Sequence, residues 1–136
     1  MNRRHLAIFS KVGFEEIISG RKTVETRFSK HKISPFGEVS AGDIVYMKVA
    51  GGEIAGQFLV KKVLFFEGLD KKDWEFIKSG YGKALSLGSE EEDNRFFKQK
   101  EDARFGTIIF IDRVEQFITS PIKFTKSDRR AWVVMD

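Results

Sequence analysis

The chain has 136 residues, 41% apolar and 32% charged, with two prolines, no cysteine and a formal net charge of +4. That length allows one hydrophobic core that removes about two-thirds of the unfolded surface from water, so a single domain over residues 1–136 is expected. The lack of cysteine excludes disulfides, thiolate zinc sites and cysteine nucleophiles together, and fits a reducing compartment.

The N-terminal stretch MNRRHLAIFSK carries basic residues but an apolar run of only four before Ser10. This is too short for a signal-peptide core or a membrane span and predicts a soluble cytoplasmic protein with no membrane partner. HLAIFS reads as a short buried strand. KVGFEEIISG then places Phe14, Ile17 and Ile18 at i, i+3 and i+4 ahead of Gly20, a C-terminal cap. In TVETRF the β-branched residues alternate, so Thr23, Glu25 and Arg27 share one face of a strand and Val24, Thr26 and Phe28 the other, with Lys22 at the preceding turn. Residues 29–42 read as a polar loop through Ser34-Pro35.

DIVYMKV and EIAGQFLVKKVLFF, joined by the turn AGG, predict a hairpin, and Gly56 in its second strand marks a bulge or a close backbone approach. LDKKDWEFIKSGYG predicts a helix capped by Asp70, with Trp74 and Ile77 on one face and Gly80 as its stop. SEEEDNRFFKQ predicts another, with Ser89 and Glu92 as a capping box and an acidic first turn set against the helix dipole. The acid run Glu90–Asp93 thereby has a structural role instead of a metal-binding one. FGTIIFIDRVEQF is the most strand-like stretch, and AWVVM adds a last strand. About five to six strands with few helices predict an α+β domain around a small curved sheet or barrel.

Charge is unevenly placed. Residues 1–32 carry eight Lys/Arg against three Asp/Glu and residues 121–136 four against two, whereas 89–120 carry five against eight. Nucleic-acid binders present such basic segments to phosphates when the two ends meet, and an ordinary solvated surface has the same composition. His5 and His31 lie far apart and outside any metal-ligand spacing, so neither a metal nor a cofactor is expected. No GxSxG singles out a serine nucleophile. GGEIAGQF has the GxxxxG spacing of a phosphate loop, but Gln57 and Phe58 replace the lysine and hydroxyl residue it requires, and it falls in a hairpin.

Lys22, Glu25 and Arg27 remain: two cations and an anion close together. One reading is an exposed ion pair between the same-face neighbours Glu25 and Arg27, worth about 0–1 kcal/mol. The other is a cleft in which Lys22 and Arg27 hold a phosphate or a polar ring while Glu25 accepts hydrogen bonds from an amino or imino edge. GRKTVETR matches GxKxxExR through Gly20, Lys22, Glu25 and Arg27, and resembles the signature of the ASCH (activating signal cointegrator homology) domain, a branch of the PUA-like superfamily. GDIVYMK, IAGQFLVKKV, FGTIIFI and RRAWVV extend the resemblance over nearly the whole chain.

The resemblance implies a PUA-like small mixed β-barrel of about five to six strands with two to three flanking helices, and a cleft beside the motif for RNA or a modified nucleobase. In that reading Lys22, Glu25 and Arg27 line the cleft, and Arg21, Lys30, Lys32, Arg129 and Arg130 hold phosphates. Tyr46, Trp74, Tyr81 and Trp132 are rings for stacking or for the core. One enzyme branch of the family hydrolyses 4-acetylcytidine with a lysine and a threonine from this stretch and a glutamate farther along. Lys22 matches that lysine, but Glu25 stands where the threonine would, and the distal glutamate falls on no single one of Glu67, Glu75 and Glu90–Glu92. Other members are reported as ribonucleases. A small hydrolase with Lys22 and Glu25 as acid–base residues, and a protein-interaction module in which the motif only fixes a turn, therefore stand beside the binding reading.

Overall fold

The structure, a computed structural model, describes residues 2–85, 90–120 and 130–135, the side chains of 81–85 excepted. Strand β1 (Arg4–Phe9) ends where Ser10 turns its hydroxyl back to accept from the Gly13 amide at 3.0 Å, which starts helix α1 (Lys11–Ile18) at the next residue. α1 buries Phe14 and Ile17 and is capped by Ser19, and the chain reverses at Gly20, whose φ of +82° a side-chain-bearing residue adopts only with strain. The reversal lets the Lys22 amide donate to the Glu16 carbonyl at 3.0 Å, which fixes the approach to β2 (Val24–Ser29).

The hairpin of β3 (Ile44–Val49) and β4 (Ile54–Glu67) follows, then helices α2 (Lys71–Leu85) and α3 (Glu90–Lys100), strand β5 (Phe105–Gln116) and the short β6 (Trp132–Val134). The strands form one curled half-barrel sheet in the order β2-β5-β4-β3-β1-β6. β1 and β3 are parallel and the other pairs antiparallel, as a small mixed α+β sheet requires. The first and last strands are neighbours, Ala7 opposite Trp132.

Curl comes from bulges, which sharpen the local twist. The β3–β4 register shifts between Met47 and Lys48, and the β4–β5 register shifts twice, at Gln57/Leu59 and Val60/Lys62, near the left-handed Arg113 (φ 45°). In β5, Ile108 and Ile109 are both fully buried because both faces of the sheet are covered there. Ile109 belongs to a core with Phe9, Phe14, Ile17, Phe58 and Trp132, while Ile108 joins Val24, Phe28, Leu69 and Ile77 beneath α2 and α3. β2 therefore gives Val24 and Phe28 to the helix side and leaves Glu25 and Arg27 for the other.

Asp70 caps α2 reciprocally, its Oδ1 accepting from the Asp73 amide at 2.8 Å and its amide donating to Asp73 Oδ2 at 3.2 Å. The helix does not stop at Gly80 but continues to Leu85. A helical glycine costs about 1 kcal/mol against alanine, too little to end a helix that Ile77 holds in the core. The Ser89–Glu92 capping box involves Ser89, outside the described residues.

Gly56 is where the hairpin backbone packs closest. A Cβ there would lie 2.7 Å from the Glu115 carbonyl and 3.2 Å from both Met47 and Phe14. Gly56→Ala is expected to destabilise the fold by roughly 1–3 kcal/mol, because a carbonyl in a paired strand cannot move aside cheaply. Urea unfolding measures this, and a midpoint equal to the parent's would show that the sheet relaxes there.

Candidate functional site

β2 and the β1–β6 pair are the two ends of the sheet, and between them lies a cleft of about 500 Å³. Its floor holds Glu25 and Arg27 of β2 and Thr107 of β5, which is paired with Arg27. The start of α1 forms one wall, the loop from Ile33 to Phe36 another, and α3 adds Glu92, Phe96 and Lys100 at i, i+4 and i+8.

Arg27 spans the gap. Its Nη2 donates to the Ile8 carbonyl at 2.9 Å, and its guanidinium carbon lies 4.9 Å from the Phe9 ring and 5.3 Å from the Trp132 ring. A charge-assisted bond to a strand-end carbonyl, with two rings behind it, holds the side chain in one conformation. Glu25 is not its ion-pair partner. Glu25 Oε1 instead accepts from Lys22 Nζ at 3.3 Å and from the Thr26 amide at 2.9 Å. The side chains of this pair are 11% and 8% exposed, so the pair is screened from bulk water, unlike an ordinary surface pair. Both of these bonds fall on Oε1, and Glu25 lines the cleft.

Behind the cleft a buried relay fixes Trp132. Its Nε1 donates to His5 Nδ1 at 3.0 Å, and His5 Nε2 donates to Asp43 Oδ2 at 2.8 Å. An indole N–H only donates, so His5 Nδ1 carries the lone pair and Nε2 the hydrogen, a neutral ring. Burial raises the Asp43 pKa, but hydrogen bonds from the Arg3 amide, the His5 ring and the Ser40 amide outweigh it and hold the carboxyl below its ordinary value of 3.8.

Solved structures share this arrangement of strands and helices. The ASCH protein of Zymomonas mobilis superposes with a TM-score of 0.61 at 16% identity, over 84% of this chain and 70% of its own. A serine-to-alanine variant of that protein gives 0.69 at 14% identity, over 99% of this chain and 89% of its own. The fold is that of an ASCH domain. Protein EF3133 of Enterococcus faecalis gives 0.54 at 15% identity, over 90% of this chain and 86% of its own. No family model matches the chain, and no curated protein matches it in sequence.

Within the ASCH fold the candidate residues fall into three groups. Lys22, Glu25, Arg27 and Trp132 line the cleft together. Tyr46 does not: β3 turns it into a separate buried cluster with Leu6 and Ile54. Trp74 packs against Phe28, ring centroids 4.8 Å apart, in the core beneath the helices. Arg21 lies outside the cleft and donates to Glu16 Oε2 at 2.9 Å, a bond that draws the Glu16 carboxyl below its usual range. Lys30, Lys32 and Arg130 are exposed outside the cleft walls, and Arg129 and the Tyr81 side chain lie outside the described residues. Sequence reasoning missed Thr107 and the α3 stripe. The i, i+4, i+8 spacing of Glu92, Phe96 and Lys100 was the available signal.

No group of acidic or histidine side chains able to hold a metal occurs among the described residues. No helix among them is long and apolar enough to cross a membrane.

Arg27→Ala is expected to lower stability by about 2–3 kcal/mol, the sum of a charged hydrogen bond and its ring contacts, and Arg27→Lys to recover less than half of that. Urea unfolding of both variants checks it, and parental stability in Arg27→Ala would remove the residue from the seam. Because the Asp43 pKa is depressed in the fold, its contribution is present above the unfolded value of 3.8 and is lost as pH falls through the folded value. Thermal unfolding followed into acid should therefore drop below pH 3.8, with a shallower acid limb in Asp43→Asn. Superimposable acid limbs would show that Asp43 is not the responsible group.

Proposed function

We propose that the cleft binds a single nucleobase, of RNA or of a modified nucleoside, with its hydrogen-bonding edge against Glu25. The observation that carries this is the Glu25 carboxylate. Only 6% of the residue is exposed, its bonds from Lys22 and the Thr26 amide both fall on Oε1, and it lines the cleft, which leaves Oε2 for a ligand. Sealing off an unsatisfied acceptor costs about 1–3 kcal/mol, so a ligand that closes the cleft must bring an N–H donor, such as an amino or imino edge. Thr107, only 1% exposed, adds a hydroxyl beside it.

The walls suit a planar ring. Phe36, Phe96 and the 65% and 58% exposed Val12 and Ile33 offer apolar faces, and the volume of about 500 Å³ lies within the usual range for small-ligand sites. Single-stranded RNA is recognised by such splayed bases, stacked and read on their edges, and the ASCH fold fits association with RNA. Exposed Lys30, Lys32 and Arg130 lie outside the cleft, where phosphates would run.

A hydrolase reading has one observation in its favour: of the distal glutamates Glu67, Glu75 and Glu90–Glu92, the cleft is lined by Glu92, on the same site as Lys22. Against it, Lys22 donates to Glu25 and is occupied as a hydrogen-bond donor instead of a proton acceptor. Turnover of 4-acetylcytidine or RNA by the parent, lost in Lys22→Ala with the amide spectrum of a folded protein retained, would decide for the enzyme.

Binding is tested by calorimetric titration of nucleosides and short single-stranded RNA. Lys22→Ala, which removes the group that fixes the Glu25 carboxylate, should weaken RNA binding about tenfold, whereas Glu25→Gln should change base preference more than affinity. Parental binding in both variants would rule the cleft out.

A further inference from the structure

Strand register carries the cleft floor beyond the cleft. Arg27 of β2, Thr107 of β5 and Phe65 of β4 are successive cross-strand partners, so their side chains project from the same face. The next row on that face is Ser29, Phe105 and Glu67. Beyond Thr107 the floor therefore runs onto the ring of Phe65, which is 42% exposed. Phe36, a wall of the cleft, meets Phe65 edge-on at 5.3 Å and Phe105 at 5.2 Å, so the three rings make a continuous shelf leading out of the cleft.

Cations border this shelf. Lys32 holds its ammonium 5.7 Å from the Phe36 ring centre, and the segment 30–36 contains Lys30, His31 and Lys32 and no acid. Arg104 is exposed next to Phe105, its amide fixed to the Ser29 carbonyl at 2.9 Å. Glu67 is the one acidic member of the two cross-strand rows on the shelf. An exposed ring, Phe65, backed by the half-buried Phe36 and Phe105 and bordered by cations, complements a stacked base and its phosphates, whereas an apolar protein partner would favour an uncharged border.

We propose that Phe65, buttressed by Phe36, stacks the base of the nucleotide adjoining the one held in the cleft, with Lys30, Lys32 and Arg104 on the connecting phosphates. The ligand is then single-stranded RNA of at least two nucleotides, and a free nucleoside fills only half of the site. This rests on the cleft reading and extends it.

The test uses the whole chain with two probes: the four nucleoside 5′-monophosphates, and single-stranded RNA tetramers carrying 2-aminopurine at each position in turn. Phe65→Ala should weaken the tetramers about tenfold or more, the loss expected for one base–aromatic stack. It should abolish the 2-aminopurine quenching at one position and leave monophosphate binding as in the parent. Phe65→Tyr should retain the quenching, and Lys32→Ala should lower the salt slope for tetramers by about one. Tetramer affinity unchanged in Phe65→Ala, an equal loss for monophosphates and tetramers, or no tetramer binding by the parent would each overturn the shelf. Failure of the cleft is read separately: Glu25→Gln and Lys22→Ala would then match the parent on monophosphates.

Discussion

One arginine holds the two ends of the sheet in relation to each other. β2 and β6 are edge strands that do not pair, so the curled sheet stops short of a closed barrel. Arg27 crosses that opening to the Ile8 carbonyl, 19 residues earlier, and rests its guanidinium against Phe9 and Trp132. A lysine would put a single point charge there. The guanidinium instead satisfies a strand-end acceptor and lies against aromatic rings in the same pose. The cleft is the gap so bridged.

That division of labour accounts for two cations and an anion so close together. Arg27 belongs to the scaffold, and Lys22 stabilises the carboxylate of Glu25, which the fold could not otherwise keep out of water at 6% exposure. A buried ion pair adds little net stability over an apolar pair of the same size. Its value is positional: Lys22 and the Thr26 amide fix one carboxylate oxygen and hold the carboxylate in one orientation. Binding benefits when such groups are immobile beforehand, because the ordering cost is not charged to association.

Much of this was legible in the sequence, and the limits have physical causes. The strand–helix–turn–strand opening rests on local periodicity and a glycine, and the structure follows it. The hairpin and the close approach at Gly56 were readable for the same reason. The alternation in TVETRF correctly placed Glu25 and Arg27 on one face, but their partners are set by tertiary structure: Arg27 binds a carbonyl on a strand at the other end of the sheet. The end of α2 was misread because Gly80 is a weak breaker against a packed helix face. Tyr46 and Trp132 both lie on strands, and pairing across the sheet decides which borders the cleft. The His5–Asp43–Trp132 relay joins residues up to 127 positions apart, beyond any spacing rule.

Trp132 also shows why core and binding residue are not opposed roles. At 2% exposure it presents almost no ring for a base to stack on. Its Nε1 is tied to His5, which is tied in turn to Asp43, so the indole plane is fixed from behind. Arg27 lies against that fixed ring, so the guanidinium that spans the gap is itself held in place. The relay therefore acts on the cleft at one remove: it holds the tryptophan, and the tryptophan holds the arginine that bridges the gap. Loss of the His5 acceptor would loosen that plane without removing any group from the cleft, which makes His5 a positioning residue despite its complete burial.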